Sequence, residues 1–186
     1  TKQLKVVIDK NSAKTKELIN LYNGENIINL ASTPWIAYLK NAMGAQVIPT
    51  SAEIDSGRLK LTFKNRSVIY FIVETFDNYF TITLDSSLPA NFQGLVMGSF
   101  SAKYDWEQLD NPEAFGLSAV PMTTSVIPTC YPGGHTKTFS PEVRGLTPLE
   151  TFGAKVGITF STMDVHREHL KDVVNAIDPN YGIKNL

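Results

Sequence analysis

Three strand-like segments follow one another along the chain at a spacing of about ten residues, a spacing typical of all-β folds. Arg58–Phe63 alternates polar and apolar residues with period two, Val68–Val73 is almost continuously apolar, and Tyr79–Leu84 is rich in β-branched and aromatic residues. Turn-forming residues separate these segments, at 55–57, 64–67 and 77–78. Because period-two segments joined by short turns pair with their neighbours, we predict an antiparallel meander.

Further strands are predicted on both sides of this meander. Residues 46–54 mix apolar and polar side chains, and Pro49, which has no backbone N–H, predicts an edge strand or a bulged one. Additional strands are expected at 95–104, 114–120 and 153–160. The stretch 128–150 is rich in Pro, Gly and Thr and predicts a long structured loop. The predicted fold class is therefore mainly β, an antiparallel β-sandwich.

A short helix is predicted near the start of the chain. Ser12 can serve as its N-cap, Leu18, Ile19 and Tyr22 fall on one helical face, and Asn23-Gly24 is a typical stop. Residues 1–44 are accordingly expected to form a helical and extended segment packed on the sandwich.

A second helix is predicted near the end of the chain. Ser161 and Asp164 fit a capping box, and an apolar stripe with helical spacing follows them, at Leu170, Val173, Val174 and Ile177. His166 and His169 lie three residues apart on this helix, whereas zinc-protease motifs use other spacings. We therefore expect solvated helix surface there rather than a metal site. Residues 45–186 are predicted to be one globular unit, a sandwich that ends in this helix.

Composition and charge exclude several classes of function. Seventeen basic and eighteen acidic residues give a net charge of −1, without the basic excess that nucleic-acid binding needs. The lone Cys130 excludes an internal disulfide, and no apolar run is long enough to span a membrane. Gly133-Gly134 lacks the Lys-Ser/Thr that completes a phosphate loop. We expect no cofactor, no metal, no nucleic-acid partner and no membrane span.

Aromatic residues in or near the predicted loops are the candidate ligand platform. Flat aromatic rings stack on the CH faces of sugars, and neighbouring polar groups can bind the hydroxyls. The candidate sugar-binding residues are Trp35, Tyr38, Tyr104, Asp105, Trp106, Glu107, Tyr131 and His135. Packing of these rings against the core or within loops is the alternative interpretation.

A catalytic centre is not evident from the sequence. His135 follows a Gly-Gly turn, and Asp105 or Glu107 can supply an acid, so a small hydrolase or isomerase is one alternative. A nucleophilic pair of Cys130 and His135 lacks a specified orienting residue and oxyanion hole. No catalytic residue is therefore assigned.

The order of the segments resembles a known family of domains. Residues 57–63, Leu95–Phe100, Ala114–Ala119 and Gly153–Phe160, followed by the last helix, are similar to the N-terminal β-sandwich of bacterial glycoside hydrolases, of the galactose-mutarotase-like or supersandwich kind. The true mutarotases of that fold use two histidines and a glutamate in the sheet, and no histidine here falls on a predicted strand.

The resemblance implies a non-catalytic, carbohydrate-associated domain of a glycoside hydrolase. Such a domain packs on the catalytic domain of the same polypeptide, helps to shape its glycan-binding cleft, and belongs to a periplasmic or extracellular bacterial enzyme. It also predicts an exposed apolar patch where the catalytic domain docks. A stand-alone sugar-binding protein remains the alternative from the residues themselves.

Overall fold

A computed structural model describes residues 1–29, 35–89, 92–103, 114–128, 130–133, 136–143 and 151–177 of the chain. Antiparallel strands dominate them, so the mainly-β fold expected from the sequence is confirmed. The strands are β1 (Leu4–Ile8), β2 (Thr15–Asn20), β3 (Ala37–Asn41), β4 (Gln46–Val47), β5 (Pro49–Asp55), β6 (Arg58–Phe63), β7 (Val68–Thr75), β8 (Tyr79–Leu84), β9 (Phe92–Met97), β10 (Phe100–Lys103), β11 (Phe115–Pro121), β12 (Val126–Ile127), β13 (Cys130–Gly133), β14 (Thr136–Phe139), β15 (Glu142–Val143) and β16 (Lys155–Thr162); the helix is α1 (Met163–Asn175).

The largest sheet contains the predicted meander. Its strand order is β11-β16-β8-β7-β6-β5, and β6, β7 and β8 pair antiparallel in sequence order. In β6, Leu59, Leu61 and Phe63 are buried and the residues between them are half-buried, as period-two alternation predicts. β5 is an edge strand whose register shifts between Pro49 and Ser51, which confirms the interpretation of that proline.

A second sheet faces this one across the core. Its order is β12-β15-β9-β3-β4, and Leu39, Leu95 and Met97 lie with no exposed surface in the same hydrophobic cluster as the inner residues of the six-stranded sheet. At the end of β9, a Cβ on Gly98 would lie 3.2 Å from Cδ1 of Ile158 on the opposite sheet. The two sheets therefore pack face to face as a sandwich, and β3 belongs to it.

The long loop predicted at 128–150 is wrong in the part that the structure describes. Residues 130–133 and 136–139 pair as β13 and β14, and β14 also pairs with β10. Glu142 and Val143 pair with β9. Pro132 is compatible with this arrangement because β13 is an edge strand, where a missing N–H need not interrupt a ladder.

The helix predicted near the start of the chain is also wrong. Residues 15–20 form a strand, β2, that pairs antiparallel with β1, so the N-terminal segment is a β-hairpin. The Ser12 hydroxyl donates to Oδ1 of Asp9 at 2.9 Å instead of capping a helix, and this bond lowers the pKa of Asp9. In β2, Leu18 is fully buried while its neighbours Glu17 and Ile19 are half-buried. This alternation is typical of a strand.

The terminal helix is confirmed, and it packs on the outer face of the six-stranded sheet. Two glycines provide the flat surface: a Cβ on Gly157 would lie 2.5 Å from Cγ1 of Val173, and one on Gly116 would lie 2.8 Å from the ring of His166. The N-cap is Thr162 rather than the predicted Ser161. No helix within the described ranges is long and apolar enough to cross a membrane.

Candidate binding groove

The first strand of the hairpin forms a strap across one end of the sandwich. At one end of the strap, the N–H of Lys2 donates to the carbonyl of Asp77, in the turn between β7 and β8, at 3.3 Å. At the other, the N–H of Ala52 on β5 donates to the carbonyl of Lys10 at 2.9 Å. β1 is thus fastened to the six-stranded sheet at both ends and spans the strands between them.

An apolar groove lies between this strap and the inner face of the six-stranded sheet. The main part has a volume of about 510 Å³, within the range of small ligand sites, and a neighbouring space of about 420 Å³ shares four of its lining residues. We call the combined space the strap groove. The residues lining the main part are Thr1, Leu4, Lys5, Val6, Ile8, Leu21, Ile36, Ile54, Leu59, Val73, Thr75, Phe80 and Ile82.

Several large apolar side chains in this groove remain exposed. Ile54 is 73% exposed, Val73 43% and Leu21 46%. Ile54 and Val73 occupy inward-facing positions, since their cross-strand neighbours are the buried Leu59 and Ile82. The inner face of the sheet therefore continues beyond the part that the opposite layer covers.

Two lysines lie among the residues that line the groove. Lys5 lines its main part and Lys10 its extension, and neither has a carboxylate within 4.0 Å among the residues described. Glu53, which also lines the extension, is paired with Lys60 at 2.7 Å. Residues 1–20 carry five lysines against two acids, although the whole chain has a net charge of −1. The groove is thus apolar with a basic rim.

Of the aromatic residues predicted as a sugar platform, Trp35 and Tyr38 can be placed with their side chains, and neither lines this groove. Trp35 is half-buried and forms an isolated bridge with Lys14, whose Nζ lies 5.1 Å from the centre of the indole ring. Tyr38 lies on β3 rather than in a loop and is 8% exposed, which leaves little of its ring for a ligand. The backbone of Tyr131 lies on β13. Tyr104, Asp105, Trp106, Glu107 and His135 lie outside the described residues.

A buried histidine joins α1 to the sheet. His166 is 8% exposed, so the expectation of a solvated position is wrong. Its Nε2 lies 2.9 Å from Oγ of Ser118 and its Nδ1 lies 2.8 Å from Oγ of Ser161. Because Ser161 binds this ring, its hydroxyl does not cap the helix. The side chain turns inward because Gly116 leaves room for the ring.

The distance between Ser118 and His166 is that of a catalytic serine and its histidine base, but the surroundings of the pair differ from those of a hydrolytic triad. A hydrolytic triad orients the histidine with a carboxylate, whereas the group on Nδ1 here is a neutral hydroxyl. The ring is also wedged between a helix and a sheet, and Ser118 lines neither part of the strap groove. The arrangement fastens the helix to the sheet. No group of three metal-ligating side chains occurs in the described parts of the chain.

Comparison with protein-family models, curated proteins and solved structures found no match to this chain in any of the three. The groove, its basic rim and the buried histidine are therefore the observations from which function has to be argued. Sequence inspection missed the groove because its residues have the pattern of ordinary inward-facing strand positions.

Proposed function

We propose that this chain is a non-catalytic accessory module of a glycan-degrading enzyme and that it docks to the catalytic domain of that enzyme through the strap groove. The observation that carries the docking is the exposure of Ile54, Val73 and Leu21 in one continuous groove. The carbohydrate association rests on the resemblance of the segment order to N-terminal sandwiches of glycoside hydrolases, and the same resemblance implies a periplasmic or extracellular enzyme.

Exposed aliphatic side chains in a concave surface favour docking on energetic grounds. Full burial of one isoleucine or valine side chain contributes about 1.5–3 kcal/mol. Ile54 is 73% exposed and Val73 43%, so covering both can supply about 2–3 kcal/mol. Singly exposed apolar residues are common on proteins, but several around one groove are typical of an interaction site.

A non-catalytic role agrees with the side chains that the structure describes. The closest approach to a catalytic pair, Ser118 and His166, serves to hold α1 on the sheet. The groove is lined mainly by aliphatic residues and Phe80, and its charged side chains are Lys5, Lys10 and Glu53, the last of them paired with Lys60. Such a surface can bind and orient another polypeptide.

The complete reading frame of the natural gene tests this proposal first. We expect it to encode a glycosidase catalytic domain in the same polypeptide, and we expect the isolated 186-residue chain to release no sugar from a panel of aryl glycosides and polysaccharides. A reading frame without such a domain, or turnover by the isolated chain, would refute the proposed function.

The docking surface is tested in the full polypeptide. Ile54→Asp should loosen the contact between the domains and increase cleavage by a protease between them, because a carboxylate in the groove opposes burial. Ile48→Asp is the matched control, since Ile48 is 41% exposed but does not line the groove. Equal cleavage of the two variants would show that the groove is not the docking surface.

A further inference from the structure

The hydrogen-bond pattern of the hairpin shows which way the backbone of β1 faces. In β2, the N–H of Leu18 donates to Oδ1 of Asn26 at 3.0 Å, and its carbonyl accepts from the N–H of Ile27 at 2.9 Å. Both backbone groups of Leu18 are therefore directed away from β1. Val6 is the register partner of Leu18, and this pair is a non-hydrogen-bonded pair of the antiparallel ladder. It follows that the N–H and C=O of Val6 point to the opposite edge of β1.

That edge of β1 is open at its centre. Among the described strands, β1 pairs with β2 alone, in a two-stranded sheet. Towards the start of the strand, the N–H of Leu4 donates to Oγ1 of Thr1 at 2.9 Å, and beyond its end the carbonyl of Lys10 accepts from Ala52. Between these bonds, no described residue is hydrogen-bonded to the N–H or the C=O of Val6. An unpaired strand edge is a template for another strand.

We propose that the partner of the strap groove contributes an extended strand that adds to the free edge of β1 at Val6. This inference rests on the proposed docking function and specifies its geometry. Every second side chain of the added strand would lie on the same face as Val6 and enter the groove beside Ile54 and Val73. Those side chains are aliphatic, because the residues that line the groove are mainly aliphatic and favour apolar contacts.

The opposite face of the added strand is acidic. Its side chains lie beside Lys5, which projects from the face of β1 opposite to Val6, and its end approaches Lys10. Opposite charges on neighbouring strands attract and like charges repel, so aspartate or glutamate is favoured there. The five residues of β1, Leu4–Ile8, span about 13 Å, which sets the length over which an added strand can pair. The occupant is thus an extended segment that alternates aliphatic and acidic residues.

Labelled synthetic peptides of about eight residues test the mode of binding by fluorescence anisotropy. The first alternates isoleucine and aspartate. Two further peptides have the same side chains with N-methyl groups on alternate residues, on one edge of the strand or on the other. Strand addition predicts that methylation of one edge abolishes binding and that methylation of the other leaves it unchanged. Equal binding of both methylated peptides, or no binding of the parent peptide, would overturn strand addition.

Variants of the chain test the same contact from the other side. Val6→Pro removes the exposed N–H without breaking a bond to β2, and it should abolish peptide binding while the melting temperature stays near that of the parent. Val6→Ala keeps the N–H and should retain most of the binding. If Val6→Pro is instead misfolded, the two methylated peptides still decide the question.

Charge reversal tests the composition of the partner. Lys5→Glu should weaken the aspartate peptide about fivefold, and strengthen a lysine-containing analogue by a similar factor, as expected for one exposed charge pair. Lys64→Glu, an exposed lysine outside the groove, is the control and should leave both affinities unchanged. Tighter binding of dodecanoate than of any peptide would assign the groove to an anionic amphiphile and overturn the proposal. A natural reading frame without a glycosidase domain would refute the proposed function but not strand addition.

Discussion

Replacement of Gly157 by alanine provides the sharpest test of how α1 is seated on the sheet. Gly157 lies in β16, beneath the last turn of the helix, and a Cβ there would lie 2.5 Å from Cγ1 of Val173. Optimal contact between two carbons is about 3.5–4.0 Å, so one of the two groups has to move by about 1 Å. Val173 is fully buried, and a valine in a helix has one strongly preferred rotamer. The helix itself therefore has to move.

The sign of the effect follows from two opposing terms. A change from glycine to alanine at an ordinary backbone conformation stabilises a protein by about 0.4–1 kcal/mol, because it restricts the unfolded chain. Overpacking a close contact costs about 1–3 kcal/mol. Met122, whose sulfur would lie 3.0 Å from the new methyl, is flexible and can give way, whereas Val173 cannot. We expect Gly157→Ala to destabilise the fold by about 1–2 kcal/mol in total.

Urea denaturation of Gly157→Ala, Val173→Ala and the double variant measures this coupling. Val173→Ala alone leaves a cavity and should cost about 1–2 kcal/mol. In the double variant, the methyl group added at position 157 occupies part of the space left by the shorter side chain at position 173. The cost of the double variant should therefore be at least 1 kcal/mol below the sum of the single costs. A neutral or stabilising Gly157→Ala, or strictly additive costs, would show that the helix does not lie on this glycine.

Three further predictions concern single side chains outside the groove. In the same denaturation assay, His166→Ala should destabilise the fold by about 2–3 kcal/mol, because it removes the hydrogen bonds to both Ser118 and Ser161. Ser118→Ala removes one of these bonds and should cost about 1 kcal/mol. A neutral His166→Ala would contradict the role of this residue in holding α1 on the sheet. Thr15→Val should be neutral or stabilise by up to about 1 kcal/mol, since the buried Thr15 hydroxyl has no hydrogen-bond partner among the residues that the structure describes, and a clear loss of stability would contradict this. The hydrogen bond from Lys155 at 3.0 Å lowers the pKa of Glu74 below its ordinary value, so the pair stabilises the fold above about pH 4.5 and the effect is lost as pH falls through the folded-state pKa. Because the Glu74 side chain is about half exposed, Glu74→Gln should remove at most about 0.5 kcal/mol at pH 7 and progressively less as pH falls through the folded-state pKa, and a loss that does not shrink as pH falls would contradict this assignment.

The sequence predicted those parts of the fold in which local pattern and tertiary environment agree. The meander β6–β8 has strong alternation, turn residues at both bends and a partner strand on each side, so propensity, periodicity and pairing all favour the same structure. The edge position of β5 followed from the chemistry of Pro49 alone. The helix α1 followed from the predicted apolar stripe, of which Val173 is buried within the helix and Ile177 is buried just beyond its end at Asn175.

The sequence mispredicted the second strand of the N-terminal hairpin, β2, because the strand conformation of these residues depends on pairing with β1. The apolar residues of 15–22 fit a helical face as well as a strand, and a single segment of this length does not decide between them. β1 decides it, since pairing with Leu4–Ile8 satisfies the backbone of β2. Ser12 then binds Asp9 in the turn, so the residue that suggested an N-cap has another role.

His166 was misplaced for a related reason. The apolar stripe of α1 locates the buried face, and a polar residue at its flank is normally exposed. Two distant features reverse this expectation: Gly116 leaves a space for the ring, and Ser118 and Ser161 provide a hydroxyl for each ring nitrogen. Neither feature is adjacent to His166 in the sequence, so spacing along the helix could not reveal them.

The strap groove shows why a binding surface can be invisible in a correctly predicted sheet. Ile54 and Val73 have the alternation of core residues, and they do lie on the inner face. Their exposure depends on how far the opposite layer extends and on where Lys2 and Lys10 fasten the hairpin, both of which are properties of the assembled fold. Alternation determines which face a side chain occupies but not whether that face is covered. Only the structure can show that an inward-facing aliphatic residue remains exposed, and this exposure is the basis of the docking proposal. The lysine at the rim, Lys5, is the reason to test an acidic segment first.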